Sequence, residues 1–456
     1  MQFESQSLEI LAAALKKLEK GFSCLPEVNS NYDYKAMSRV TMEVAEKLQD
    51  NYPYFHPNYA GQMLKPPHPI ARLAYILSLW INPNNHAIDG GRASSQMEKE
   101  AVAEIAGMFG WEAFLGHICS GGTIANLEAL WVAGKLKSDK LIVASELAHY
   151  THSRISEVLK LPFQSIRCDN LARMDLDALE KTLKTGKVGT VVATIGSTGT
   201  GSIDPLPEIL KLRDKYDFRL HADSAYGGYF ILVDNLAPSA KQAYTLLNQV
   251  DSIVIDPHKH GLQPYGCGCV LFKDTGVGVF YKHDSPYTYF SSNELHLGEI
   301  SLECSRPGAA AVALWATQKM LPMVRGGEFA SNLAKSREAA LELNRRLSAD
   351  SRFRVLLEPE LDIVTWAPRA KKESQISGLS QAIFETAAKY NLHLATFKYP
   401  TRLLKSRWKD VQFESDYVTC LRSCLMKSEH LEWLDRIWQI LSMATDEVLI
   451  KVKPKK

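Results

Sequence analysis

Short apolar runs bounded by glycine and proline alternate along this chain with stretches whose apolar positions recur at helical spacing. That alternation predicts the architecture. Leu8, Leu11, Leu15 and Leu18 are spaced as one helical face, and Tyr34–Gln49 repeats the pattern, with a loop near Pro26–Asn31 between them. Helices are expected at Ile70–Ile81, Ser94–Phe109, from residue 120 through Lys137, and from about Pro307 through Lys319. Strands are expected at Phe114–Cys119, Lys140–Ser145, Val188–Ile195, Leu220–Ala222, Ser252–Ile255 and Cys269–Phe272. Beyond residue 325 the pattern predicts a helix at Gly327–Leu347, strands near Phe353–Leu357 and Ile363–Ala367, and a helix at Gly378–Lys389. A strand at Tyr417–Ser423 and a final helix at Leu431–Leu449 complete it. Strands alternating with helices imply an α/β fold with a mostly parallel sheet. The expected division is an N-terminal helical segment (1–65), a large domain (66–324) and a smaller C-terminal α/β domain (325–456).

Composition narrows the function classes. A chain of 456 residues, 46% hydrophobic and 23% charged, has ordinary globular composition and room for one large domain plus a smaller one. A net charge of +2 gives no reason to expect nucleic acid or an anionic membrane as partner. No run of about 18 apolar residues exists to span a membrane, and the first residues lack the apolar core of a secretion signal. The eight cysteines are scattered without paired ligand spacing, which points to a reduced, cytoplasmic setting.

Candidate chemistry gathers in two stretches. In Asp256-Pro-His-Lys-His-Gly, Lys259 stands just past an apolar strand, where lysine is seldom buried without a partner. Desolvation there favours the neutral, nucleophilic amine, which suits bonding to a carbonyl cofactor. In His221-Ala-Asp-Ser-Ala-Tyr-Gly-Gly228, Asp223 falls at the carboxyl end of a strand, where ligands of open α/β sheets collect. An aspartate there can hold a pyridinium nitrogen protonated, making the ring an electron sink. Upstream, Ser120-Gly-Gly-Thr123 links a strand to a helix. Gly121 and Gly122 let a ligand approach the backbone, and Ser120 and Thr123 add hydroxyls to the free N–H groups of the helix start. Alone, such a turn does no more than cap a helix.

The two motifs His-Ala-Asp-Ser-Ala-Tyr-Gly-Gly and Asp-Pro-His-Lys-His-Gly-Leu-x-Pro-x-Gly-Cys-Gly together resemble the pyridoxal-phosphate-dependent group II amino-acid decarboxylases. Matches recur from about Pro53 to Arg422. The resemblance implies the type I pyridoxal-phosphate fold, like that of aspartate aminotransferase, in a homodimer with shared active sites. It implies Lys259 as the cofactor-binding lysine, Asp223 at the ring nitrogen and His149 stacked on the ring, with Thr198 supporting that histidine and Asp204 ordering its loop. Ser120, Gly121, Gly122 and Thr123 become the phosphate cradle, and Ala225 and His258 join the cofactor-binding set. Ser305, in Ser-Arg-Pro-Gly, would reach the phosphate of the other subunit. Phe55, His56 and Tyr59 would line the substrate pocket, and Arg422 would meet the substrate α-carboxylate. Tyr287 and Tyr289 both fit a mobile loop bearing a proton donor. His152 either faces the substrate or plays a structural part.

The implied reaction is α-decarboxylation of an L-amino acid, with a lean toward an aromatic or bulky side chain. The alternatives are a transaminase, a carbon–carbon lyase of the sphingosine-phosphate-lyase type, and a non-catalytic paralogue. A metal site built from His221, His258, His260 and Asp223 lacks ligand spacing, so no metal is expected.

Overall fold

The computed structural model describes residues 5–28, 31–282 and 301–452. Seven strands build the large sheet: β1 (Leu115–Cys119), β2 (Leu141–Ser145), β3 (Phe163–Ile166), β4 (Val188–Thr194), β5 (Arg219–Asp223), β6 (Ser252–Ile255) and β7 (Gly268–Phe272). Their spatial order is β1-β7-β6-β5-β4-β2-β3. From β3 to β6 all neighbours pair in parallel, and helices such as Leu176–Leu183 and Leu206–Lys215 carry the chain back between them. The Gly- and Pro-rich connection from β6 to β7 contains no helix, so β7 returns antiparallel to β6, and β1 pairs antiparallel on its other side. Every residue of β4 is buried, as a strand covered by helices on both faces requires. Ile105, Leu206, Ile209 and Leu314 come from those covering helices and belong to the same apolar cluster as Val191 and Ala193.

This topology points the carboxyl ends of β1, β2, β4, β5 and β6 toward one edge of the sheet. The polar residues singled out in the sequence follow directly after those ends.

The C-terminal unit is built on four strands, β8 (Phe353–Val355), β9 (Ile363–Pro368), β10 (Ala395–Pro400) and β11 (Tyr417–Cys424). They lie in the order β10-β11-β9-β8 and pair antiparallel throughout. Helices Glu328–Ala349, Glu373–Lys389 and His430–Val452 share its apolar core, in which Trp366 is wholly buried. The Pro-rich segment after residue 53 is tied to this unit. Lys427 Nζ donates to the Tyr59 carbonyl at 2.7 Å, and Lys65 Nζ donates to that of Met426 at 3.0 Å. By contrast, helices Ser5–Gly21 and Tyr34–Leu48 bury no residue, and Leu8, Met37, Met42 and Leu48 are each more than half exposed. No helix among the described residues is long and apolar enough to cross a membrane.

Candidate active site

The anion cradle forms where β1 gives way to the helix Gly122–Leu136. Gly121 has φ +153°, which L side chains rarely adopt. A Cβ on Gly121 would stand 3.1 Å from His258 Cε1, and one on Gly122 would stand 2.6 Å from Asp256 Oδ2. The two glycines thus let the lysine loop lie directly against the cradle. Among the described residues no side chain caps this helix, which leaves its first N–H groups available to an anion. Ser120 N–H donates to Glu303 Oε2 at 2.8 Å, and Thr123 Oγ1 lies 3.5 Å from Thr151 Oγ1.

Lys259 does have a partner. Its Nζ lies 3.0 Å from Oδ2 of Asp256, a carboxylate with only 3% of its side chain exposed. Desolvation alone, the expectation from sequence, therefore does not describe this lysine. His258 Nε2 is 3.6 Å from the same oxygen, and its ring leans on Tyr265 with centroids 4.9 Å apart. Burial holds the His258 imidazole below its usual range. His260 turns the other way, 3.3 Å from the buried Asp362, which also accepts the Tyr226 hydroxyl at 2.6 Å. His221 bonds Ser252 and Asn126, each at 2.8 Å. The three histidines flanking Lys259 and Asp223 in sequence thus face different partners.

Asp223 closes β5 beside Lys259's strand. His152 Nε2 lies 2.8 Å from its Oδ2, and the Ala225 N–H donates to Oδ1 at 3.2 Å. Burial pushes this carboxyl up, but the His152 hydrogen bond, with the charges of His152 and Lys259, outweighs it and holds Asp223 well below the usual carboxylate range. His149 Nδ1 sits 2.7 Å from Thr151 Oγ1, and burial lowers the pKa of its imidazole. Asp204 accepts the N–H of Met174 at 2.7 Å and of Thr194 at 2.8 Å, tying down the loop after β4.

Lys259, Asp256, His258, Asp223 and His149 open onto one cavity of about 400 Å³. Ser120, Gly121, Gly122 and Thr123 line it, as do His149, Thr198, Asp223, Ala225, His258 and Lys259. A larger hollow of about 500 Å³, beside Asp169 and Glu208, contains none of the predicted cofactor-binding residues. Thr151, Thr194, Tyr226 and Asp256, none of them expected from the sequence, also line the cavity. Asp256 was within reach, since it opens the motif that contains Lys259.

Other predicted residues lie elsewhere. Ser305 is exposed, accepts from Asn84 Nδ2 at 3.1 Å, and is not part of the cavity wall. Phe55 lines a separate cavity of about 320 Å³ with Lys65, His68 and Lys427. The His56 ring meets Trp433 edge-on at 4.8 Å. Tyr59 is buried, and its hydroxyl accepts from Gln62 N at 3.4 Å. Arg422, on β11, donates to the Thr198 carbonyl at 2.8 Å and to the Gln62 side chain. Tyr287 and Tyr289 fall outside the described residues.

A lysine and an ionised aspartate at the ends of adjacent parallel strands, with a helix start across the same cavity, are groups that chemistry on a phosphorylated pyridine aldehyde requires. The chain belongs to the pyridoxal-dependent decarboxylase family, whose conserved domain matches residues 34–368. It is an amino-acid decarboxylase, and its cofactor is pyridoxal phosphate. The L-tyrosine decarboxylase of Enterococcus faecium is 26% identical, over 80% of this chain and 77% of its own. A probable L-tyrosine/L-aspartate decarboxylase of Methanothermobacter thermautotrophicus is 28% identical, over 67% and 82%. The fold is that of Oryza sativa TDC solved with PLP and tryptamine (TM-score 0.77, 16% identity, 97% and 96% of the two chains). Mouse CSAD shares it as well (0.76, 16%, 96% and 99%).

Proposed function

We propose that this decarboxylase acts on an aromatic L-amino acid, with Lys259, Asp223 and the cradle at Gly121–Thr123 as its working parts. The observation that carries the reading is the convergence of all three on one cavity in a chain of this family. Pyridoxal phosphate supplies an aldehyde for the amine and a protonated ring that takes up the electron pair freed as carbon dioxide leaves. The protein's residues do the rest. Gly121, Gly122 and Thr123 offer N–H groups to the phosphate, and Asp223 holds a proton at the ring nitrogen. His149 offers a flat face to the ring, and Lys259 Nζ provides the covalent anchor. Asp256 Oδ2, 3.0 Å away, is placed to accept the proton that Nζ must lose before it can act as a nucleophile.

The aromatic assignment is supported by the names of the relatives and by the lining. Tyr150 and Tyr226 line the cavity, whereas Lys259 is the only lysine or arginine among the described lining residues. A second carboxylate, as in aspartate, would need a further cation. Arg422 is the proposed partner of the substrate α-carboxylate. Among the described residues it pairs with no acid and its buried Nε has no hydrogen-bond partner, while its fork already braces Thr198 in the cavity wall. Tyr59 joins this group through Gln62; Phe55 and His56 would take part only at its periphery. Tyr287 or Tyr289 is proposed as proton donor to the product carbon. The presence of both Lys259 and Asp223 opposes a non-catalytic role.

A homodimer in the cytoplasm completes the reading. The exposed apolar positions of the two N-terminal helices suit a second copy, and Ser305, outside its own chain's cavity, is proposed to serve the partner's phosphate. The substrate test is direct: incubate the protein and pyridoxal phosphate with a pool of L-amino acids and identify the amine by mass spectrometry. Tyramine, tryptamine or phenethylamine is expected; β-alanine as sole product would overturn the aromatic assignment.

A further inference from the structure

His152 has a place in the site that the family motifs do not specify. It lies in the first turn of the helix Thr151–Val158, has no solvent exposure, and points Nε2 at Asp223 Oδ2 from 2.8 Å. An ionised carboxylate only accepts, so Nε2 carries the proton and donates it. Nδ1 is buried with no hydrogen-bond partner among the described residues. Oδ1 receives the Ala225 N–H from within its own loop, so the two carboxylate oxygens have separate donors. Two donors on two oxygens fix the rotation of the carboxyl plane, which a single donor would leave free.

We propose that His152 is a positioning residue that orients the Asp223 carboxylate toward the ring nitrogen of the cofactor and thereby sets cofactor affinity. This rests on the reading above, in which Asp223 meets that nitrogen. The consequence follows from what is lost without the imidazole. A carboxylate 6% exposed would keep one backbone donor, could rotate, and would have lost the partner that best offsets its burial. Its grip on a protonated ring would weaken although Asp223 itself is intact.

The test measures pyridoxal phosphate binding to cofactor-free protein by fluorescence titration, independently of turnover, in H152F, H152Q, D223N and the double variant H152F/D223N. H152F is expected to bind at least tenfold more weakly than wild type. H152Q, which retains an N–H donor of similar reach, should stay within about threefold. In the D223N background H152F should make no further difference, because the group it acts through has lost its charge. Should H152F not fold, H152M provides the same comparison. Wild-type affinity in H152F or H152M, or an equal further loss on top of D223N, overturns the proposal. If D223N alone leaves affinity unchanged, the contact between Asp223 and the cofactor is refuted and the role of His152 goes with it. If D223N weakens binding and H152F does not, only the role of His152 is refuted.

Discussion

Lys259 Nζ lies 3.0 Å from Oδ2 of Asp256, and the same oxygen would stand 2.6 Å from a Cβ on Gly122. One carboxylate thus touches both Lys259 and the turn proposed to hold the phosphate. Replacing Asp256 by Asn keeps the shape and removes the charge. The expected outcome is a cofactor-free protein that folds normally but takes up pyridoxal phosphate about tenfold or more slowly, since Nζ loses both its hold and its proton acceptor. The measurement is the growth of cofactor absorbance after mixing. An unchanged rate would show that Asp256 only fills space.

How much of this was legible in sequence depends on the kind of contact. Lys259, Asp223 and the Gly121–Gly122 turn were readable because each sits at a strand end within a short motif, where local order fixes position. The central strands were readable because β4 and β6 are short runs rich in β-branched residues, buried along their whole length. Two strands gave no such signal. β3 (Phe-Gln-Ser-Ile) and β10 (Ala-Thr-Phe-Lys-Tyr-Pro) are edge strands, and edge strands tolerate polar residues such as the exposed Lys398. The partner of His152 was not readable either, because it is 71 residues away and no periodicity encodes a contact across a sheet. The same holds for Arg422, whose carbonyl partner Thr198 is 224 residues away.

Asp223→Asn should fold and lose roughly three orders of magnitude in decarboxylation rate. Each tenfold corresponds to about 1.4 kcal/mol of barrier, and a ring nitrogen without its proton forfeits much of its capacity to take up electrons. Steady-state kinetics at saturating pyridoxal phosphate checks this. A variant within a few-fold of wild type would remove Asp223 from the ring.

Arg422→Lys retains the charge but not the planar fork that reaches Thr198 O and Gln62. KM for the amino acid should rise about tenfold, with a smaller fall in kcat, because the lost interaction holds substrate before and during reaction alike. Equal falls in kcat and kcat/KM would place Arg422 in the transition state instead.

Lys427 predicts a pH dependence of stability. Burial, then the charge of Lys65, lowers its pKa from 10.5 to about 7. Between those values the unfolded chain binds a proton that the folded chain has released, so stability rises with pH across that window. Urea unfolding at pH 6.5, 8 and 9.5 should show wild type gaining on the order of 1–3 kcal/mol relative to Lys427→Met over that range. Parallel pH profiles for the two proteins would mean that Lys427 stays charged in the fold.

The central claim is that the cavity holding Lys259 and Asp223 removes the substrate's α-carboxylate. L-Tyrosine and L-tryptophan labelled with carbon-13 at the carboxyl carbon test it most directly, with wild type and Lys259→Ala run side by side in pyridoxal phosphate. The account predicts labelled carbon dioxide and unlabelled amine in one-to-one ratio from wild type on at least one of the two. From Lys259→Ala the yield should be lower by three orders of magnitude or more. Label retained in the organic product, or equal yields from the two proteins, would contradict it.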